Sequence, residues 1–434
     1  MPADSLTIPA PASTSIPVRP AIASRGVRLA VAGLVLLTLG LRLAYLFSLR
    51  TDGFVWADVD QYLAKGASLV RAGHFAWTWE AVGYPWGGRV YVLPPLYSLY
   101  LAPFAAWPSY PFNAFVGLAV LNALAVPLVV GIGTRLHSER AGLIAAVFYA
   151  LWGSDIAGFG SVRQEPLYVP LVVLAFWLLA RAWDGLGGRL AWGLAGAGLG
   201  LAALCRSMPI YFVAAMAGVL VLRDLRGAGP RHALGLVAGF ALLTLPYSLA
   251  LSIHLGQPTL IENHGGILVA SRYLHGGNRL AAPGFGAVVV AILREVVTTP
   301  VAFAATTLDQ ARSLLPLTGG RYLQDGVFAD SASAASTWKL AAHVFIDGPW
   351  LFAIVLAPLG VAVARSRSAA WMLAGWALLN LVLTALTGLA GRASAARSKC
   401  TSPCSPAPRS PAGGRDRARS PSAWAWPARW RWRC

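Results

Sequence analysis

Charge is what this chain has least of. Only 12% of its residues are Asp, Glu, Lys or Arg, while 57% are hydrophobic; soluble domains run at roughly 25% charged and about 45–50% apolar. That shortage excludes a water-soluble protein and predicts an integral membrane protein. Acids are scarcer still, 17 against 35 Lys and Arg, leaving a net charge of +18. In a soluble protein that excess would suggest nucleic acid. Here many of the basic residues lie in short loops between apolar runs, where they read as a topology signal, and no nucleic-acid partner is expected. Cysteine is nearly absent too: Cys400, Cys404 and Cys434 lie near the C-terminus and Cys205 stands alone, so neither a metal spacing nor a disulfide framework is present. Neither a dinucleotide fingerprint nor a phosphate-loop motif occurs, and no internal repeat is visible.

What the chain does have is apolar runs of spanning length. Residues 1–28 are Pro-, Ala- and Ser-rich and read as a disordered cytoplasmic leader carrying Arg19, Arg25 and Arg28. The run from Leu29 to Ser48 is about the 20 residues a bilayer requires, too long for the apolar core of a signal peptide. Arg42 interrupts it and needs a partner. An outer loop follows, about 49–91, holding Asp58, Asp60 and four tryptophans. Pro94–Pro108 is too short and proline-broken to span and is expected at the membrane surface or packed among other helices. The run Phe112–Gly133 then leads inward to Arg135, His137 and Arg140. Continued alternation puts Ser154–Glu165 outside, Arg181–Arg189 inside, Cys205–Pro209 outside, and Arg223, Arg226 and Arg231 inside, as the positive-inside rule prefers.

A seventh span, Ala233–Ile253, leads to a second outer loop, about 254–339. Within it Gly286–Ala305 reads as a surface-lying helix because Arg294 and Glu295 occupy its middle. Two further spans, Leu340–Ala364 and Ala370–Leu389, complete an all-α polytopic membrane protein of about nine transmembrane helices with two long extracytoplasmic loops. The transmembrane domain is expected over 29–390. Residues 391–434 form a basic Arg/Ser/Pro/Trp tail with two readings. One is a frameshift, since starting each codon one base early, on the last base of the preceding codon, turns serines such as Ser398 and Ser402 and the tryptophans Trp424, Trp426, Trp430 and Trp432 into apolar residues. The other is a genuine segment binding anionic lipid headgroups.

Four stretches resemble the GT-C glycosyltransferases, in particular the polyprenyl-phosphate-sugar-dependent family of protein O-mannosyltransferases and the lipid A aminoarabinose transferase. They are ADVDQYLAKGASLV, the PPLY motif, VRQEPLYVPLVVLAFWLLA and ENHGGILVASRYLHGGN; LAALCRSMP resembles the family's Leu-x-Arg-Pro turn with Ser207-Met208 inserted. The resemblance implies a GT-C-like helical bundle, a sugar donor on a polyprenyl phosphate, and an extracytoplasmic lipid, glycan or protein acceptor. It further implies inverting displacement and an active site facing away from the cytoplasm; separately, the Ala/Gly/Arg/Leu-rich usage fits a GC-rich bacterium, so a bacterial inner (plasma) membrane is expected. Protein glycosylation or cell-envelope assembly, mannosyltransferase-like, is the process it suggests. The family's base falls on Asp58, with Asp60 as neighbour or substitute, since the usual Asp-Glu is here Asp58-Val59. The family's arginine near its last helices has no secure match.

The residues also carry plainer readings. Such a displacement needs a base for the acceptor proton and positive groups for the phosphate. Asp58 also fits an N-cap, with Gln61 at capping-box spacing; Tyr62 and Lys65 follow at helical spacing as candidate donor contacts. Glu165 is a candidate active-site acid or, with Arg163, an interfacial ion pair. Arg206 is a candidate phosphate ligand or a snorkelling charge. His264, Gly265, Gly266, Arg272, Tyr273 and Asn278 form a candidate loop over phosphate or sugar, or a merely flexible one. A divalent cation, Mg or Mn, on Asp58 and Asp60 is the one cofactor left open. A transporter or flippase, or a non-catalytic subunit of envelope polysaccharide assembly, is the alternative function.

Overall fold

A computed structural model describes residues 24–52, 59–77, 92–107, 111–159, 163–186, 188–262, 285–305, 307, 359–364 and 370–379. All lie in the first of two compact units, Met1–Gly391; the second, Arg392–Cys434, falls outside the described residues. Every regular element among them is helical. In chain order these are α1 (Arg25–Asp52), α2 (Val59–Ala72), α3 (Leu96–Leu101) running into a 3-10 turn (Ala102–Ala106), α4 (Phe112–Leu136), α5 (Glu139–Leu151) and α6 (Gly153–Gly158). Then come α7 (Glu165–Trp183), α8 (Gly188–Cys205), α9 (Pro209–Arg223), α10 (Gly229–Leu255) and α11 (Phe285–Thr298). Five of them, α1, α4, α7, α8 and α10, are long and apolar enough to cross a membrane. The chain is a multi-pass membrane protein.

Local signals set the helix ends. Ser138 caps α5, its hydroxyl accepting from the Ala141 amide at 3.3 Å, as short polar side chains do at orphan amides. α7 begins Glu165-Pro166, placing an acid at the positive end of the dipole and a proline where no N–H is needed. α10 ends on Gly256 at φ 66°, the left-handed conformation that glycine adopts without a Cβ clash. α1 starts at Arg25, four residues before the apolar run, because a helix that satisfies its own backbone persists through the interface.

The core lies in three places. At one end of the bundle Leu46, Tyr62, Tyr97, Phe115, Phe159, Leu167 and Cys205 pack together, joining α1, α2, α3, α4, α7 and α8. Midway, Val126, Ala146 and Tyr149 join α4 to α5. Farther along, Phe176, Trp192, Leu199, Phe212, Met216 and Leu236 join α7 to α10. Of the stretch Pro94–Pro108, the described residues 94–107 are packed among helices, with Tyr97, Ser98, Leu101, Ala102 and Ala105 buried. Of the last two expected spans, only 359–364 and 370–379 are described.

Side-chain pairing sorts the ends of the helices into two groups. Arg135 at the end of α4 bonds Asp184 just after α7 at 2.8 Å. Arg223 at the end of α9 lies over Trp183, and Trp192 early in α8 stacks on His232 early in α10. The opposite group holds the ends of α1 and α8 and the starts of α4 and α7, with Phe47 against Phe112 at 5.4 Å and Cys205 against Gln164.

Candidate active site

Three consecutive residues at the start of α7 are each held by a different element. Gln164 Oε1 accepts from the Tyr62 hydroxyl of α2 at 2.8 Å. Glu165 Oε1 accepts from Arg206 Nη1, just past α8, at 2.8 Å. The Pro166 carbonyl accepts from Asn122 Nδ2 of α4 at 2.7 Å. Asn122 is fully buried, and its own carbonyl oxygen accepts from the Tyr149 hydroxyl of α5 at 2.9 Å. α7 therefore enters the bundle through a knot of polar contacts from α2, α4, α5 and α8.

The Glu165–Arg206 pair is half open to its surroundings, the two side chains being 40% and 36% exposed. Burial works to lower the Arg206 pKa, but Glu165, with smaller contributions from Tyr168, Glu262 and Tyr62, outweighs it and holds the guanidinium above its usual value. It stays charged at every physiological pH. Tyr168 places its ring 6.0 Å under that guanidinium, and its hydroxyl is buried without a hydrogen-bond partner among the described residues. Ser207 donates its hydroxyl to Glu262, so Arg206 and Ser207 tie α7 and the segment after α10 to one turn.

Beside this knot lies a second polar group. Arg42 is fully buried on α1 and pairs with Asp155 of α6. Its guanidinium also reaches the carbonyls of Thr38, Tyr149 and Ala150 at 3.3–3.5 Å. Burial pushes the Asp155 carboxyl up from its usual range and Arg42 draws it back. This is the partner that a charge inside an apolar run requires.

α2 begins at Val59, the residue after Asp58, and carries Asp60 as its second residue. Asp58 lies outside the described residues, and of Asp60 only the backbone is described. Tyr62 and Lys65 are both buried, which places them on one face of α2. Lys65 Nζ donates to the Trp77 carbonyl at 2.8 Å, and the Trp77 ring stacks on Tyr247 and His254 at 5.6 and 5.5 Å. Arg163 sits just before α7. His264, Gly265, Gly266, Arg272, Tyr273 and Asn278 lie outside the described residues. No group of three metal-ligating side chains occurs among the described residues.

Sequence reasoning picked Glu165, Arg206 and Tyr62 but missed Gln164, Asn122, Ser207 and Glu262. Glu262 had a signal, as the acid opening ENHGG. The uncharged three had none, because only packing selects their partners.

A polytopic helical chain whose polar contacts gather at one helix start is what comparison with known families then specifies. Residues 94–252 match the model of the dolichyl-phosphate-mannose-protein mannosyltransferase family. This family is part of the GT-C superfamily, and the match points to a membrane glycosyltransferase. The matched stretch runs from α3 into α10 and includes Asn122, Arg163, Gln164, Glu165 and Arg206; Asp58 and Asp60 precede it. No curated protein matches the chain.

Proposed function

We propose that the chain transfers a sugar from a polyprenyl-phosphate donor to an extracytoplasmic lipid, glycan or protein acceptor. The observation that carries this reading is the Glu165–Arg206 pair. It stands inside the family-matched stretch and is joined through Gln164 to α2, the helix that carries Asp60 and follows Asp58 in sequence.

In this mechanism an acceptor hydroxyl oxygen attacks the anomeric carbon of the sugar. Its proton passes to the carboxylate of Asp58, with Asp60 as neighbour or substitute, and the bond between anomeric carbon and phosphate oxygen breaks toward the phosphate. One displacement inverts the configuration. Glu165 orients the acceptor, while Arg206, with Arg163 and Arg272, balances the charge growing on the leaving phosphate; Tyr62 and Lys65 act beneath them, their side chains held by Gln164 and the Trp77 carbonyl. The loop with His264, Gly265, Gly266 and Asn278 covers the sugar.

A divalent cation on Asp58 and Asp60 would add charge neutralisation of the phosphate, and carboxylate oxygens suit Mg or Mn. The position fits a cation less well. Asp60 is the second residue of α2 and Asp58 immediately precedes that helix in sequence, and a helix start favours an anion. The proposed reaction therefore runs through the chain's own groups.

The orientation has its own support. Arg25, Arg28, Arg135, Arg140, Arg181, Arg189, Arg223, Arg226 and Arg231 lie at the helix ends opposite Glu165, as expected if that side is cytoplasmic. About nine spans with two long outer loops, in a bacterial plasma membrane, complete the proposal. A transporter would move its cargo unchanged. Purified protein given a polyprenyl-phosphate sugar and an acceptor fraction is expected to form glycosylated product, and transport of intact substrate with no new glycosidic bond would contradict the reading.

A further inference from the structure

Gln164 has no charge and no place in the proposed chemistry, yet it lies where three functional elements meet. Its side-chain oxygen takes the Tyr62 hydroxyl of α2 at 2.8 Å, and its backbone carbonyl faces the Cys205 thiol at the end of α8 at 3.6 Å. It immediately precedes Glu165, and Cys205 immediately precedes Arg206. One residue thus borders both members of the ion pair and grips the helix that follows Asp58.

The grip on α2 falls on its first turn. Tyr62 is the fourth residue of α2, buried, with its ring edge-on to Tyr97 at 5.1 Å. One turn on, the same face of α2 is fixed by close approach instead: a Cβ on Gly66 would come within 2.8 Å of the Ser98 carbonyl oxygen. The ring and glycine contacts set how deeply α2 sits against α3. The Tyr62 hydroxyl adds a directional contact between α2 and the residue that precedes α7, and a hydrogen bond fixes rotation and slide where an apolar contact does not.

We propose that Gln164 is a positioning residue: its hydrogen bond with Tyr62 holds the first turn of α2, which carries Asp60 and follows Asp58, in register with the Glu165–Arg206 pair. This rests on the proposed function for its catalytic consequence but not for its structural one. Small displacements of a reacting group lower turnover steeply while leaving binding largely intact. The bond should therefore be seen in kcat rather than in KM.

The test uses full-length protein carrying Tyr62→Phe, Gln164→Met, or both. Each single variant is expected to lower kcat for sugar transfer about tenfold with the donor KM within about twofold. The double variant is expected to be no worse than either single one, since both remove the same bond. Amide hydrogen exchange over residues 59–63 should quicken about fivefold in all three, with α8–α10 unchanged. Additive losses, a raised KM at unchanged kcat, or unaltered exchange at the start of α2 would overturn the inference. If the wild-type chain transfers no sugar, the proposed function fails, and the exchange measurement still decides the role of Gln164.

Discussion

At the scale of single residues, the most demanding group is Arg42. A guanidinium inside a spanning helix is tolerated only with a partner and satisfied donors. Asp155 and three backbone carbonyls take up its two terminal nitrogens, while Nε has no hydrogen-bond partner among the described residues, and the rings of Tyr149 and Phe159 at 5.4 and 5.7 Å add cation–π contact. Removing one member of a buried pair leaves the other uncompensated, at about 3–5 kcal/mol. Asp155→Leu is therefore expected to lower the thermal unfolding midpoint of detergent-solubilised protein sharply, and adding Arg42→Met should recover most of the loss. A single variant as stable as wild type would show that the pair is not holding α1 to α6. Arg42 illustrates what the sequence discloses. That it needed a partner was readable from its place in an apolar run, but the partner, 113 residues away, was not. Glu165 and Arg206 were likewise visible as charges bracketing apolar runs, while their pairing depends on two helix ends meeting in space. Asn122 and Gln164 left no trace, since an amide within an apolar text looks the same whether it is buried in a network or idle.

At the scale of elements, backbone approach sets the packing. α8 and α10 meet along glycines: a Cβ on Gly196 would lie 1.9 Å from the Leu236 carbonyl oxygen, and one on Gly239 equally close to that of Gly193. Small residues at such seams bring helices together where lipid removes the hydrophobic drive between them. Gly196→Leu is expected to destabilise the chain by at least about 1–3 kcal/mol, read as a lowered unfolding midpoint, while Gly218→Leu, at a glycine with open space around it, should leave the midpoint unchanged. Equal effects at both positions would mean that helix propensity rather than packing governs. Scattered glycines in apolar helices were legible as packing devices; which of them touch was not, because that depends on helix rotation. Length was a weaker guide. α5 and α9, at 13 and 15 residues, fall short of a full crossing, yet the basic clusters at their ends implied the alternation that the pairing of helix ends reproduces.

At the scale of the whole molecule, the two groups of helix ends differ in chemistry. One carries arginines with few acids; the other carries Asp155 paired with Arg42, Glu165 paired with Arg206, and Glu262 bonded by Ser207. With native cysteines replaced by serine, a membrane-impermeant maleimide is expected to label Gln257→Cys in intact cells and Leu225→Cys only after permeabilisation. The reverse pattern would put the Glu165 end in the cytoplasm and contradict the proposed orientation.

The central claim is that sugar transfer depends on the acids of the first loop. It is tested most directly by measuring sugar transfer from a polyprenyl-phosphate donor by the wild-type chain and by Asp58→Asn with Asp60→Asn. The account predicts that the double variant inserts in the membrane and unfolds at the wild-type temperature while turnover falls by a factor on the order of 10²–10⁴, the contribution of a positioned base. Unaltered turnover in that variant would contradict it.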